Sequence, residues 1–491
     1  MSVESFITHQ RQAFLSRQIP MQPGAGDQQR ETESDLVMRL RAMRSEAQAV
    51  FERQGVPTIR NEEWKYTNLM PLFSQEYQFL PQELEVASRE DQFESQVHNL
   101  ATSDGVVGLS HADILASIDH LRASLPPEHT FICLVNGVHV SALTTLADKG
   151  LHVATLTDDV IATNEDVART LGSIATVETH PFAAMNTAMM HDGVLIRIDR
   201  NHSVGAPIHI AHVSVAPSMK SGTTVNVVAT PRVLILAGEG SQATIIESFH
   251  TIGDGAALVS SVTEVSAARN SNVRLIRIHD DAGNSRLISF VGGEVMRDAT
   301  FTTDALCINA DFVRNDLHVR LVEENAQAYL NGVSALNETQ FADNHTVVDH
   351  VVPHCHSEEL YKGVYDGKST GVFNGKIFVR PQAQKTTAYQ SNHSILLSDR
   401  ATVYAKPQLE IWADDVKCSH GATTGQLDEE AIYYLRSRGI GHDDARAMMT
   451  FAFAAEVVER LPLDGLRTHI EHRIAEKLGA VAYSEEVVVD E

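Results

Sequence analysis

Apolar and polar positions along the chain change their period three times. From about Asp35 to Gln54, Leu36, Leu40, Met43, Ala47, Val50 and Phe51 recur every three or four positions, with Arg39, Arg41, Arg44 and Glu46 off that stripe. This spacing predicts an amphipathic helix, and Gly55 and Pro57 follow as its stop. Upstream, the Gln-, Gly- and Pro-containing run IPMQPGAGDQQ predicts a flexible junction. Downstream, NEEWKYTNL (Asn61–Leu69) reads as a capped turn whose Trp64 and Tyr66 anchor the helix. From about residue 76 to 190, strand-like runs such as Phe131–Val140 lie between helical patches.

From about Val194 to Val416 helical periodicity disappears. Short alternating runs rich in Val, Ile, Thr and Ala are broken by small polar turns, GEGSQAT (238–244), RNSNV (269–273), MRDAT (296–300) and EENAQAY (323–329), which recur every 27 to 30 residues. Such a repeat of strand–turn units reads as a β-solenoid or a large sandwich. The solenoid fits better, because the strands carry small side chains on both faces and tight-hairpin signals are few, Asn331-Gly332 and Asn374-Gly375 being the exceptions. Helical periodicity then returns in segments at Asp428–Arg438, Asp443–Arg460 and Asp464–Leu478, each starting at an aspartate. The middle one carries Ala447, Met448, Phe451, Ala454, Ala455 and Val458 on a face broad enough to pack on its neighbours and leave a patch for a partner.

Composition narrows the function classes. With 491 residues, 43% hydrophobic and 21% charged, the chain is long enough for several soluble domains that need no disulfide or metal staple. Lys+Arg 39 against Asp+Glu 64 gives a net charge of −25, which argues against nucleic acid and anionic membrane as partners. No eighteen-residue apolar run and no signal-peptide pattern is present, so a cytoplasmic location is expected. The four cysteines, Cys133, Cys307, Cys355 and Cys418, are widely spaced, as reduced thiols are.

Several strings invite chemistry. GVYDGKST (Gly363–Thr370) has one residue too few between its glycines for a phosphate-binding loop, and a strand-like run, not a helix, follows it. It reads as a solenoid turn. His354-Cys355-His356, with His345 and His350 upstream, suggests a metal cluster, but on a strand the two histidines and the cysteine face opposite ways. The structural reading, Cys355 in the core and the histidines on the surface, is preferred. Cys418 and His420 form a better pair: two residues apart on an extended segment they share a face, and thiolate and imidazole are ligands that iron prefers. Two ligands do not close a site, so an ion held there must borrow others. The acid pairs Asp414-Asp415 and Glu429-Glu430 read as diverging carboxylates and as a helix start, and no H-E-x-x-H or G-x-G-x-x-G enzyme motif is present.

The stretch ADDVKCSHGATTGQLDEEAIYYLRSRGI (413–440), together with NEEWKYTNL and YKGVYDGKSTGVFNGKI, resembles the SufB/SufD family of the SUF iron–sulfur cluster assembly machinery, on its SufD side. The segments NGVHVSALTTLADKGLHVATL and HPFAAMNTAMMHDGVLIRI extend that likeness, so that it runs from Asn61 to about Leu461. The resemblance implies a mainly β fold with helical ends. A right-handed parallel β-helix occupies 194–420, an N-terminal helical segment 1–75 and a mixed α/β region 76–193 precede it, and a helical domain 421–491 follows. It further implies a non-enzymatic scaffold subunit that pairs with SufB through the β-helix end and docks the SufC ATPase on its C-terminal helices. His420 stands where the family's functional histidine stands and Cys418 matches its neighbour, so both are expected to hold iron or a nascent cluster shared with SufB. No tightly bound cofactor is implied; a flavin belongs to complexes of the family, and a homodimer is one state open to the isolated chain. Removing residues after about Gly425 is expected to leave the β-helix folded. The nearest other reading is the paralogue SufB, whose pattern has a cysteine shortly before this tail and His-Glu where this chain has His420-Gly421. A different class, a polysaccharide-acting β-helix enzyme, would bring a secretion signal and a charged cleft; neither is visible.

Overall fold

The computed structural model describes residues 35–78, 106–107, 109, 111–125, 129–156, 164–190, 192–219, 223–281 and 285–479. The junction expected before residue 31 and the side chains of Leu36 and Leu40 lie outside these.

The 27- to 30-residue recurrence of polar turns is the coil length of a parallel β-solenoid of about seven turns with helices at both ends. Each coil contributes one strand to each of two sheets. In the first sheet Gln242, Asn272, Thr300, Gln327, His356, Thr387 and Lys417 stand in register above one another. In the second, Arg286, Phe312, Phe341, Thr370 and Thr402 do the same. The first coils reach into the mixed region: Thr130–Val135 pairs in parallel with Ile208–Val215, and Leu151–Thr155 pairs antiparallel with Val194–Ile198.

The polar turns are one stacked corner. Asn270, Asp298, Asn325, His354 and Lys385 all take positive φ there, a conformation that short polar side chains tolerate best. The backbone N–H groups of Asn270, Asp298, His354 and Lys385 donate to a carbonyl of the following coil, as from Asn270 to Arg297 (2.9 Å) and from His354 to Gln384 (2.9 Å). The next residue at each level points inward and is small and buried: Ser271, Ala299, Ala326, Cys355, Thr386. His354 is therefore a corner residue and not a strand neighbour of His356, which corrects the expected strand geometry, while Cys355 does sit in the core, its thiol pushed up to about 11 by burial. The two Asn-Gly pairs mark no hairpins. Both lie inside strands, Gln327–Leu336 and Thr370–Val379, where the missing side chains admit Tyr361 from the neighbouring strand and Gln390 from the facing sheet. Within Gly363–Thr370, residues 366–369 form the turn between the strands His356–Tyr365 and Thr370–Val379.

Helices close the outer faces of both sheets, which is why strand alternation is weak. Helix α1 (Asp35–Gln54) ends at Gly55, whose N–H donates to Phe51 O (2.7 Å) from a left-handed conformation. Its Ala47, Val50 and Phe51 pack with α2 (Pro181–Met189) and with Leu258, Ile288 and Phe312 of the second sheet. NEEWKYTNL does more than cap the helix. Trp64 is buried against Phe182 and under the Arg314 guanidinium (3.8 Å), and Tyr66 stacks on Tyr404 (4.3 Å), so the segment binds α1 to the solenoid's later coils. Asn61 stands at the N-cap of the short 3-10 helix Glu62–Trp64, but its side chain accepts the Thr58 N–H (2.9 Å) and none from that helix.

Three C-terminal helices follow the last strand: α3 (Glu429–Ser437), α4 (His442–Val458) and α5 (Asp464–Lys477). Only α3 has an aspartate cap, Asp428 accepting the Glu430 N–H at 2.9 Å; Gly441 and Leu463 precede the others. The apolar face expected to be free on the middle helix is not free. Ala454, Val457 and Val458 of α4, with Leu466, Ile470 and Ile474 of α5, cover Ile246, Ile276, Leu306, Ile308, Val333 and Leu360 of the first sheet. The solenoid's own outward aliphatic residues claim that stripe. What remains exposed is on α3, where Tyr433 and Tyr434 are 73% and 57% accessible.

Candidate functional site

The last strand, Lys417–Gly425, ends the first sheet and is hydrogen-bonded on one side only, in parallel to Thr387–Leu396. Among the described residues no further coil covers it, so every residue from Lys417 to Gly425 except Cys418 is exposed. Register decides which of them face the interior. Cys418, His420, Ala422 and Thr424 align with Ala388, Gln390, Asn392 and Ser394, the last three buried polar groups of the inner face. The solenoid thus continues its interior column to its open end and presents Cys418 and His420 there, about 6.6 Å apart along the strand.

The two residues differ in environment. Cys418 packs partly against Ile377, Val379, Ala383, Ala388 and Ala413, and burial raises its thiol above the ordinary range, only partly offset by a backbone hydrogen bond. His420 is exposed, and its ring has no hydrogen-bond partner among the described residues. Unpaired strand edges are pairing templates, and here the large apolar groups Tyr389, Tyr404, Ile411 and Trp412 rim the same end, each 39–48% accessible. Among the described residues no three His, Cys, Asp or Glu side chains converge to hold a metal ion.

The other candidate residues are dispersed. His350 is inside the solenoid, bonded to Ser357 Oγ (2.9 Å), and burial pulls its imidazole down to about 3. His345 lies on the outer face, 3.0 Å from Asp343 and 3.8 Å from Glu63. Asp415 pairs with Lys385 at the corner, and Glu429 and Glu430 occupy the first turn of α3.

Sequence reading missed what lies beneath His420. Thr303, Leu330, Glu359 and Gln390 form its column. Glu359 is buried, accepting from Thr346 Oγ1 (2.8 Å) and Gln390 Nε2 (3.1 Å), and burial raises its carboxyl to about 7 in spite of these bonds. An unfolded glutamate titrates at about 4.3, so the folded chain holds a proton that the unfolded chain releases, and stability falls as pH climbs from there to about 7. Glu359→Gln removes that loss. Relative to the parent, the variant should gain about 1–3 kcal/mol between pH 5 and pH 8 in denaturant unfolding; an unchanged difference would mean that Glu359 is ionised throughout. A glutamate in SEELYKG carries no sequence mark of this burial, because only the register reveals its depth.

The fold defines the class: a parallel β-solenoid whose flanks are covered by helices and whose last strand is open among the described residues. Two family models cover most of the chain. "SUF system FeS cluster assembly, SufBD core domain" matches residues 219–453, and "SufBD protein N-terminal region" matches 26–110 and 117–210. The chain belongs to the SufB/SufD family of iron–sulfur cluster assembly proteins. It is 29% identical to the iron–sulfur cluster assembly protein SufD of Escherichia coli K12 over 434 residues, 87% of this chain and 90% of the relative. A SufBD family protein of Synechocystis is 27% identical over 86% of this chain and 87% of its own length. The chloroplastic protein ABCI7 of Arabidopsis thaliana is 29% identical over 59% of this chain and 62% of its own.

Proposed function

We propose that the chain is a SufD-type, non-enzymatic subunit of a SUF scaffold that pairs with SufB through the open end of its solenoid. Iron or a nascent cluster, as cargo and not as a resident cofactor, is received there by His420, with Cys418 as a secondary donor. One observation carries this reading: an unpaired terminal strand displays a thiol and an imidazole on its interior-facing side, inside an apolar rim. Two donors cannot close a site, so a partner's ligands complete it. Docking of SufC belongs to α3, because Tyr433 and Tyr434 are its exposed anchors while α4 is committed to the solenoid. No helix among the described residues is long and apolar enough to cross a membrane, and a cytoplasmic location accompanies this reading.

The test is His420→Ala in the assembled complex. Subunit stoichiometry and thermal unfolding should be unchanged, because the ring is exposed, while iron and sulfide content should fall at least tenfold. Cys418→Ala should lose less, since the half-buried thiol contributes mainly packing and its removal leaves a small cavity. Normal loading of the His420 variant would reduce the residue to a surface histidine. The isolated chain should hydrolyse no ATP, since Lys368 lies in a turn that leads into a strand. Turnover abolished by Lys368→Ala would contradict this.

A further inference from the structure

Gln390 is the residue next to His420 in the ladder, on the same inward face. It is 1% accessible, and its side chain reaches across the interior because residue 375 is glycine: a Cβ there would come within 2.3 Å of Gln390 Nε2. Its direction is dictated from below. Glu359 Oε2 accepts from both Thr346 Oγ1 and the Gln390 amide, so the amide turns its NH2 towards Glu359. Gln390 Oε1 is then a buried acceptor without a partner, on the strand that pairs directly with the one carrying His420. Buried polar oxygens in folded proteins are otherwise almost always paired, and an unpaired one in the layer directly beneath His420 calls for a role.

We propose that Gln390 is a positioning residue for His420. Its amide oxygen takes one ring N–H of the imidazole, which fixes the tautomer and leaves the other nitrogen's lone pair for ferrous iron at the open end. This rests on His420 being an iron ligand. Metal-binding histidines regularly donate their second N–H to such a carbonyl oxygen, and loss of that partner weakens metal binding about 10- to 100-fold. Glu359 and Thr346 act one step further down, by preventing the amide from flipping.

The decisive experiment reads the ring nitrogens of metal-free, full-length protein labelled with nitrogen-15 at histidine, in alkaline buffer. The His420 signal is identified by its loss in His420→Ala. The parent should show a single tautomer. Gln390→Leu should show both, with an unchanged circular dichroism spectrum, and should bind ferrous iron about tenfold or more weakly. Should Gln390→Leu not fold, Glu359→Met tests the same point, because it releases the amide without touching it and should also mix the tautomers. A mixed tautomer in the parent, or a single tautomer retained in either folded variant, overturns the proposal. If instead His420→Ala binds ferrous iron as the parent does, the iron-ligand reading fails, and the tautomer spectra still decide whether Gln390 orients the ring.

Discussion

A chain ending at Gly425 should fail to accumulate as a soluble solenoid. Deletion of α3 to α5 uncovers Ile246, Ile276, Leu306, Ile308, Val333 and Leu360 on the outer face of the first sheet. At roughly 1.5–3 kcal/mol for each large aliphatic side chain returned to water, the loss is on the order of 10 kcal/mol, comparable with the whole net stability of a domain. Polar ties go too: Arg473 with Asp280 (2.6 and 3.0 Å), Arg460 with Glu358 (2.9 Å), and Lys477 with Asn309 (2.8 Å). The measurement is soluble yield and the circular dichroism of whatever is recovered. A monomeric, cooperatively unfolding β-rich product would show that the solenoid stands alone, as the sequence reading expects. The structure predicts the opposite because the helices complete the core rather than forming a separate one.

Arg314→Met should cost about 3–5 kcal/mol, the range for stranding the partners of a buried ion pair. Arg314 is 1% accessible and donates to Asp316 (2.8 Å twice), to Asp343 (2.7 Å) and to the Glu63 carbonyl (2.9 Å), over the Trp64 ring. Burial pushes the Asp316 carboxyl up, but Arg314 and then His180 outweigh it and hold it well below the usual carboxylate range; Asp343 is lowered in the same way by Arg314 and His345. With both folded values depressed, this contribution is present above about pH 4 and is lost as pH falls through the folded values. Denaturant unfolding at pH 7 is the check. The triple variant Arg314→Met, Asp316→Asn, Asp343→Asn should recover much of the loss, since no charge is left unpaired. A cost below about 1 kcal/mol for Arg314→Met alone would mean that water reaches the carboxylates, and that NEEWKYTNL does not seal this face.

The sequence by itself determined the kind of fold and the family. The 27- to 30-residue recurrence of polar turns is the coil length, and its small polar residues are those that the stacked left-handed corner requires. Helix α1 and its Gly55 stop were legible because local spacing and a left-handed terminus are properties of adjacent residues. Cys418 and His420 were legible as a pair because a strand's period of two is also local.

Only the tertiary structure decided what touches what. Whether the apolar stripe of α4 is free or covered depends on Leu306, Val333 and Leu360, over a hundred residues away at Leu306. The placing of His354 in a corner depends on the carbonyl of Gln384 in the next coil. Asn331-Gly332 and Asn374-Gly375 look like hairpin turns because the same glycine that permits a turn also makes room for a neighbour's side chain, and a string of letters does not distinguish the two. The column Glu359–Gln390–His420 exists only through residue-by-residue register between coils. A one-residue slip would turn all three outward, and that register is set by the whole stack of inward side chains rather than by any one strand.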